Sequence, residues 1–418
     1  MIRYTNIQAC RLCDGDLKEV INFGQMPLAN DYAKSATDPT DLYPLTLVRC
    51  QLCGHYQIKE TVDPEILFSN FLYASGDSPT LVGHFNRYAD EVLLLQGRKG
   101  FSVLDIASND GLLTGFFKKL GAGKVVGVEP ALNLVEFART ANSAAYIHSF
   151  FGSEVGCSLS KDTGTFDVVT ANNVMAHVAN LNGVMEGVVA CMADDGIFIF
   201  ENAYLLDTVR NHCYDNTYHE HLQYYGIRPL VGFLKKHGLE LFDVSHQPTQ
   251  SGSFRCFAKR ISNSKWRVSP SVDLFLKTEE EEELYTPATA TGYRDDFYRL
   301  YDQLFKIVDQ ARKEGSSLSC YGASAKLAML SKTLGLDFQN TRYVVDDAKA
   351  KQGLLSPGGK IPIVDRESFH RDPTDYSIIS AWNLASPIME ANKKYPGRFI
   401  LPVPEPRVVT STRAADCL

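Results

Sequence analysis

The chain has 418 residues, 44% hydrophobic and 22% charged, the profile of a folded protein too long for one ordinary domain. Its 49 acidic and 42 basic side chains give a net charge of −7, which argues against a nucleic-acid surface. No run reaches the roughly eighteen apolar residues of a membrane span, and the start MIRYTNIQACRLCDG lacks a secretory pattern, so a cytoplasmic address without a membrane partner is expected.

Residues 1–80 are turn-rich and carry two close cysteine pairs, Cys10-x2-Cys13 and Cys50-x2-Cys53. Each pair makes a knuckle whose thiolates suit a tetrahedral zinc ion, and Gly54 follows the second as such turns favour. Four thiolates leave no open coordination position, so the expected zinc is structural; His55 is a weaker candidate ligand. Cys157, Cys191, Cys213, Cys256, Cys320 and Cys417 are scattered and read as buried or inert thiols, since no secretory signal favours disulfides. Leu72–Phe85 reads either as a linker capped by Asp77 or Ser78 or as a flap over a bound cofactor.

From 81 to 262 strands alternate with helices: SVLDIA, KVVGVE, FDVVTA, GIFIFE and SFRCFAKR as strands, NRYADEVLLLQG and the stretch after Pro130 as helices. That alternation predicts an open α/β sheet. Within it, a strand ending at Asp105 runs through a small-residue loop into a helix beginning near Leu112, and a second strand ends at Glu129. This is a Rossmann-like layout in which the acidic residue receives two ribose hydroxyls. The glycine pattern is not GxGxxG: Ala107 stands at the first glycine position and Gly111 follows. The loop therefore suits S-adenosylmethionine, which has no pyrophosphate to cradle, better than NAD.

Tyr214–Gly226, YDNTYHEHLQYYG, crowds aromatics, two histidines and a glutamate behind a strand end, where ligands of open α/β sheets bind. A packing helix is the bland reading. On a helix His219 and His221 would face opposite sides, which excludes a shared metal there. His177 lies on the same predicted edge, and a histidine there suits removal of a proton from a carbon acid.

The polar stretch 268–315 holds five consecutive glutamates, Glu279–Glu283, read as a solvated helix face, and then helical apolar spacing. Thereafter SLSCYGAS, TRYVVDD and DYSIISAWN predict a second, smaller α/β domain. Its Gly322-Ala323-Ser324-Ala325-Lys326 turn reads as an anion site built from helix-start N–H groups and one lysine.

Taken in order, the paired CxxC motifs, FGQMPLAN, YASGDS, LDIASNDG, YDNTYHEH, YGASAK, VVDDAKAKQG and AWN resemble the sugar-nucleotide C-methyltransferases of deoxysugar pathways. The resemblance implies three domains: a zinc-binding domain (1–80), a class I methyltransferase domain (81–262) and a C-terminal Rossmann-like α/β domain (263–418). It implies methylation at C3 of a nucleotide-linked 4-keto-6-deoxysugar by enolate formation. His221 would be the base, with Tyr218, Glu220, Tyr73 and His177 around the sugar. S-adenosylmethionine would lie on Tyr73, Ser75, Asp105, Ala107, Asn109, Gly111, Glu129, Pro130 and Asn172. The nucleotide-sugar would meet Tyr218, Tyr225, Tyr321, Ser324, Lys326, Asp346 and Lys351. An O- or N-methyltransferase, an inactive zinc-binding scaffold and an NAD-dependent enzyme are the rivals. The layout needs no second chain to close the site, so a monomer is expected.

Overall fold

The computed structural model describes residues 3–69, 71 and 73–410; Leu72 and Cys417 lie outside them. The central sheet has seven strands, in spatial order Leu239–Gln247, Ser253–Arg260, Met192–Ala203, Phe166–Asn172, Val103–Ile106, Val125–Glu129 and Ala145–His148. Ser253–Arg260 is antiparallel to both neighbours and the other pairings are parallel. Strands covered by helices on both faces are buried throughout, as VLDI and VVGVE are, each apolar but for one acidic residue near its carboxyl end. From Val103–Ile106 the chain moves outward one way to Val125–Glu129, then returns to place Phe166–Asn172 on the other side. The crevice beyond those carboxyl ends is the switch point where open α/β sheets bind ligands.

The N-terminal region forms an antiparallel sheet of Leu17–Pro27, Leu42–Cys50 and Tyr56–Ile58, whose fourth strand, Gln223–Tyr224, arrives from the YHEH segment. The C-terminal sheet runs Ile363–Val364, Val344–Val345, Leu318–Tyr321, Tyr376–Ile379, Arg398–Leu401 and Arg407–Thr410, parallel except for the last strand. Its own switch point lies beyond Tyr321 and Ile379. The helix Pro287–Lys313, opened by a Thr286 cap and a first-turn proline, leads into this unit. No helix among the described residues is long and apolar enough to cross a membrane.

The structure departs from one expectation, at Glu279, and decides two readings that were left open. Tyr214–Gly226 is no helix: a single 3-10 turn, Tyr214–Asn216, leads through a loop to the strand Gln223–Tyr224. Glu279 is not part of a solvated face but is 1% exposed. Its carboxylate accepts the Ile227 and Arg228 amides and the Tyr285 hydroxyl, so it caps the helix Ile227–Lys236. Cys157 is exposed, whereas Cys191, Cys213, Cys256 and Cys320 are buried.

Candidate active site

The four N-terminal thiols converge. All four sulfurs lie within 4.8 Å of one another, with Cys10–Cys53 at 3.8 Å and Cys13–Cys50 at 3.5 Å. A tetrahedron with Zn–S bonds of about 2.3 Å has edges of about 3.8 Å. The Leu52 and Cys53 amides point at Cys50 Sγ and the Gln57 amide donates to Cys10 Sγ, which suits thiolates. The site therefore fits zinc. His55 is outside it, completely buried and bonded to Gln223 Oε1 at 2.7 Å.

At the central switch point the loop after Val103–Ile106 turns through positive φ at Ala107 (51°), Asn109 (52°) and Gly111 (78°). This brings bare backbone to the crevice. Glu129, ending the second strand, accepts the Asn109 amide on one oxygen (2.8 Å) and the Ala131 amide on the other (2.9 Å). It is thus held rigid where a ribose diol would arrive, and burial raises its pKa above the usual carboxylate range. Pro130 follows it, its carbonyl bonded to His148. Asn172, across the switch point, keeps its carboxamide without a well-formed partner, the Tyr88 hydroxyl lying beside it. Asp105 lies deeper than expected: 4% exposed, it accepts the Thr170 hydroxyl at 2.6 Å and supports the loop from beneath. Burial pushes its pKa up to about 7. An acidic acceptor, exposed loop backbone and a buried open carboxamide are a donor–acceptor set that fits S-adenosylmethionine.

The Tyr73–Phe85 segment is fastened to this loop. Asn109 accepts the Ser75 amide and donates to the Tyr73 carbonyl, while Asp110 accepts the Gly76 amide. Ser78 caps the helix Pro79–Gln96, so capping and lid-like placement coexist. From Tyr73 an aromatic file, Phe71, Phe68 and His177, leads to His221.

His177 and His221 stand with ring centroids 5.0 Å apart. His177 donates from Nδ1 to the Glu220 carbonyl at 2.6 Å, leaving Nε2 as an acceptor. His221 donates from Nδ1 to the Asn216 carbonyl, and its Nε2 receives the Tyr218 hydroxyl at 2.8 Å. Burial, together with His177 and Lys326, holds the His221 pKa well below that of a free imidazole. His219 points the other way, donating to the Pro44 carbonyl. Burial lowers His177 and His219 each to about 4. An unfolded histidine takes up a proton near pH 6.5, which the fold refuses until about pH 4, so stability falls as pH drops through that interval. Urea midpoints measured from pH 7 to 4.5 should decline, and each of His177→Gln and His219→Gln should flatten the decline.

The Tyr214–Gly226 loop is tied to both flanking regions. Asp215, 1% exposed and pushed up to about 6 by burial, accepts the Trp382 indole N–H at 2.6 Å. Glu220 accepts the Asn30 amide at 3.1 Å. Lys326 lies over the Trp382 ring, within electrostatic reach of Asp215 and His221, so the C-terminal loop faces the histidines across one cleft. Asp346 and Lys351 brace that loop, through the Ala323 amide and carbonyl respectively, and the Ser324 hydroxyl is buried without a partner. Two expected substrate residues lie elsewhere. Tyr225 is in the core against His55, its hydroxyl spent on the Met175 carbonyl. Tyr321 packs against Phe369 on the far side of its strand, its hydroxyl bonded to Arg366. Asn30, Tyr32, Asp215 and Trp382 belong to the cleft although no role was read for them; FGQMPLAN and AWN were the available signals.

Three family descriptions match in succession: a zinc binding domain at 10–68, a methyltransferase domain at 83–244 and a C-methyltransferase C-terminal domain at 248–404. The C-methyltransferase NovU of Streptomyces niveus is 31% identical over 412 residues, 97% of each chain. The chain belongs to this C-methyltransferase family. It is a zinc-binding, S-adenosylmethionine-dependent C-methyltransferase with the three-part α/β fold expected. Ribosomal protein L11 methyltransferase of Dictyoglomus thermophilum is 25% identical over 174 residues, 41% of this C-methyltransferase and 52% of that protein. Magnesium protoporphyrin IX methyltransferase of Synechocystis PCC 6803, solved with bound SAH, aligns at TM-score 0.34 with 18% identity over 43% of this chain and 84% of that one.

Proposed function

We propose that this C-methyltransferase places a methyl group on C3 of a nucleotide-linked 4-keto-6-deoxysugar. The observation that carries the reading is the Tyr218–His221 pair, held beside His177 in a cleft that Lys326 faces from the C-terminal domain. A 4-keto group acidifies the C3 proton, and removing it needs a neutral, oriented base. His221 is that base: burial and the nearby Lys326 keep it unprotonated near neutral pH, and the Asn216 carbonyl fixes its tautomer. The Tyr218 oxygen accepts the C3 proton as it passes its own to Nε2, and the carbon left electron-rich attacks the activated methyl. His177 Nε2, Tyr73 and Glu220 surround the sugar, and hydroxyl donors there stabilise the enolate oxygen. S-adenosylmethionine, when bound, supplies the methyl on a sulfonium leaving group. Glu129, Asn109, Pro130, Asn172 and the Ala107–Gly111 backbone hold its adenosine, with Asp105 beneath and the Tyr73–Ser75 segment above. Lys326 and Ser324 at the start of the helix Ala325–Leu334, with Asp346 and Lys351 bracing their loop, receive the diphosphate.

Methyl-labelled S-adenosylmethionine and a panel of nucleotide-linked 4-keto-6-deoxysugars in heavy water test this. Label on sugar carbon C3 is expected, with deuterium entering C3 of the unmethylated sugar when S-adenosylmethionine is withheld; label on oxygen or nitrogen would overturn it. Glu129→Ala removes a charged acceptor for the ribose, an interaction of about 1.5–3 kcal/mol. Calorimetric titration should show S-adenosylmethionine binding weaker by roughly 10- to 150-fold, and unchanged binding would remove Glu129 from the site.

A further inference from the structure

The zinc-binding region enters the catalytic cleft at one place. Beyond the strand Leu17–Pro27, Asn30 donates its side-chain amide to Glu220 Oε1, and the Ala29 and Asn30 backbone amides face the same carboxylate. Glu220 is 2% exposed, and its second oxygen has no well-formed partner. Two residues on, the Tyr32 hydroxyl donates to the Ala323 carbonyl at 2.7 Å, the same oxygen that receives Lys351 Nζ. Ala33 then pairs with Leu355, and Lys360 donates to the Ala36 carbonyl. A short arm of the first domain therefore touches the catalytic loop with one residue and the C-terminal anion loop with another.

We propose that Asn30 is a positioning residue for methyl transfer, fixing the Glu220 carboxylate so that its free oxygen accepts a hydroxyl of the acceptor sugar. The inference rests on the reading of Glu220 as an acceptor-side residue. A carboxylate in this position must be charged to accept the hydroxyl, and burial works against the charge: it pushes Glu220 up to about 7. Glu220's own backbone amide, the Asn30 side chain and the Asn30 and Ala29 backbone amides work the other way. The remaining titratable groups facing it are the Tyr32, Tyr218 and Tyr224 phenols and the His177 ring, which is bonded to the Glu220 carbonyl. None of these is a permanent cation, so the amide donors carry the stabilisation. Removing Asn30 then moves the ionisation upward through neutral pH, and turnover, which needs the ionised form, loses its acid side.

The test uses the full-length zinc-loaded protein labelled with glutamate carrying carbon-13 at the side-chain carboxyl. The signal missing in Glu220→Gln identifies Glu220. Its midpoint, near pH 7 in the parent chain, should rise by about one pH unit in Asn30→Ala, the scale of one charge-assisted hydrogen bond. Asn30→Asp, close in shape and so the safer variant for folding, should raise it further. With a thymidine-diphosphate-linked 4-keto-6-deoxyhexose, the acid limb of kcat/KM should move by the same interval. An unmoved midpoint in Asn30→Asp, or a moved midpoint with an unmoved kcat/KM limb, overturns the proposal. If the parent chain turns over no such sugar, the assigned acceptor fails, while the carboxyl titration still decides whether Asn30 controls Glu220.

Discussion

Replacing His221 with alanine should lower kcat by about 10²–10⁴, the usual range for a lost general base, while leaving S-adenosylmethionine affinity nearly intact. The separation follows from placement. The proposed cofactor crevice is built on Asp105, Asn109 and Glu129, whose bonds run to Thr170, the Tyr73–Ser75 segment and Ala131. Among the described residues, the His221 side chain hydrogen-bonds to Asn216 and Tyr218, both in its own loop. Its removal therefore leaves the adenosine side standing and takes away the acceptor for the Tyr218 proton. Tyr218→Phe should lose rate on a similar scale, because the phenol oxygen lies between carbon and imidazole in the proposed path. Two readouts check this: calorimetric cofactor titration, and deuterium exchange at C3 without S-adenosylmethionine, which both variants should suppress. Near-normal turnover in His221→Ala would remove it from the base role. Retained exchange in Tyr218→Phe would return proton abstraction to His221 directly.

The central sheet was the most legible part of the fold, because covered parallel strands leave nearly unbroken apolar runs between turn residues. Leu112–Lys119 begins where the loop pattern puts it, the second strand ends at Glu129 as expected, and the first runs one residue past Asp105 to Ile106. The YHEH segment was legible in chemistry but not in conformation. Its aromatic and histidine density resembles a packing helix, yet its geometry is set by distant partners: Tyr56–Ile58 for the strand, Pro44 for His219, Trp382 for Asp215. None of those contacts leaves a local periodicity. Glu279 shows the same limit, since a row of five glutamates gives no sign that one of them turns inward to cap a helix fifty residues earlier. Tyr225 and Tyr321 were named from motif membership, which does not say which face of a strand a side chain takes.

Substituting Cys50 with serine, or stripping the metal with a chelator, should abolish turnover while preserving much of the cofactor domain. A structural zinc site contributes about 10–16 kcal/mol of apparent binding energy at neutral pH, comparable to the 5–15 kcal/mol that holds a typical domain folded. Cys50 ends the strand Leu42–Cys50, at the middle of the N-terminal sheet, and the sulfur cluster joins Cys10 and Cys13 to it, beside the Gln51 amide's bond to the Asp16 carbonyl and Arg11's bonds to Gln57, Ile58 and Thr61. Without the metal, the four crowded sulfurs lose their common partner, and only the hydrogen bonds from Gln51 and Arg11 and the adjoining strand pairing are left to hold the two knuckles together. The damage reaches the chemistry because the sheet's edge strand, Gln223–Tyr224, continues directly from the His221 loop, and Asn30 reaches Glu220 from the same sheet's end. Hydrogen exchange followed by mass spectrometry should show amides of 17–62 and 214–225 losing protection together in Cys50→Ser, while 103–129 and 166–172 keep theirs. Metal analysis should find one zinc per parent chain and none in the variant. Full activity in a demonstrably zinc-free chain would overturn the structural role, and loss of protection confined to 10–55 would sever the N-terminal sheet from the catalytic loop.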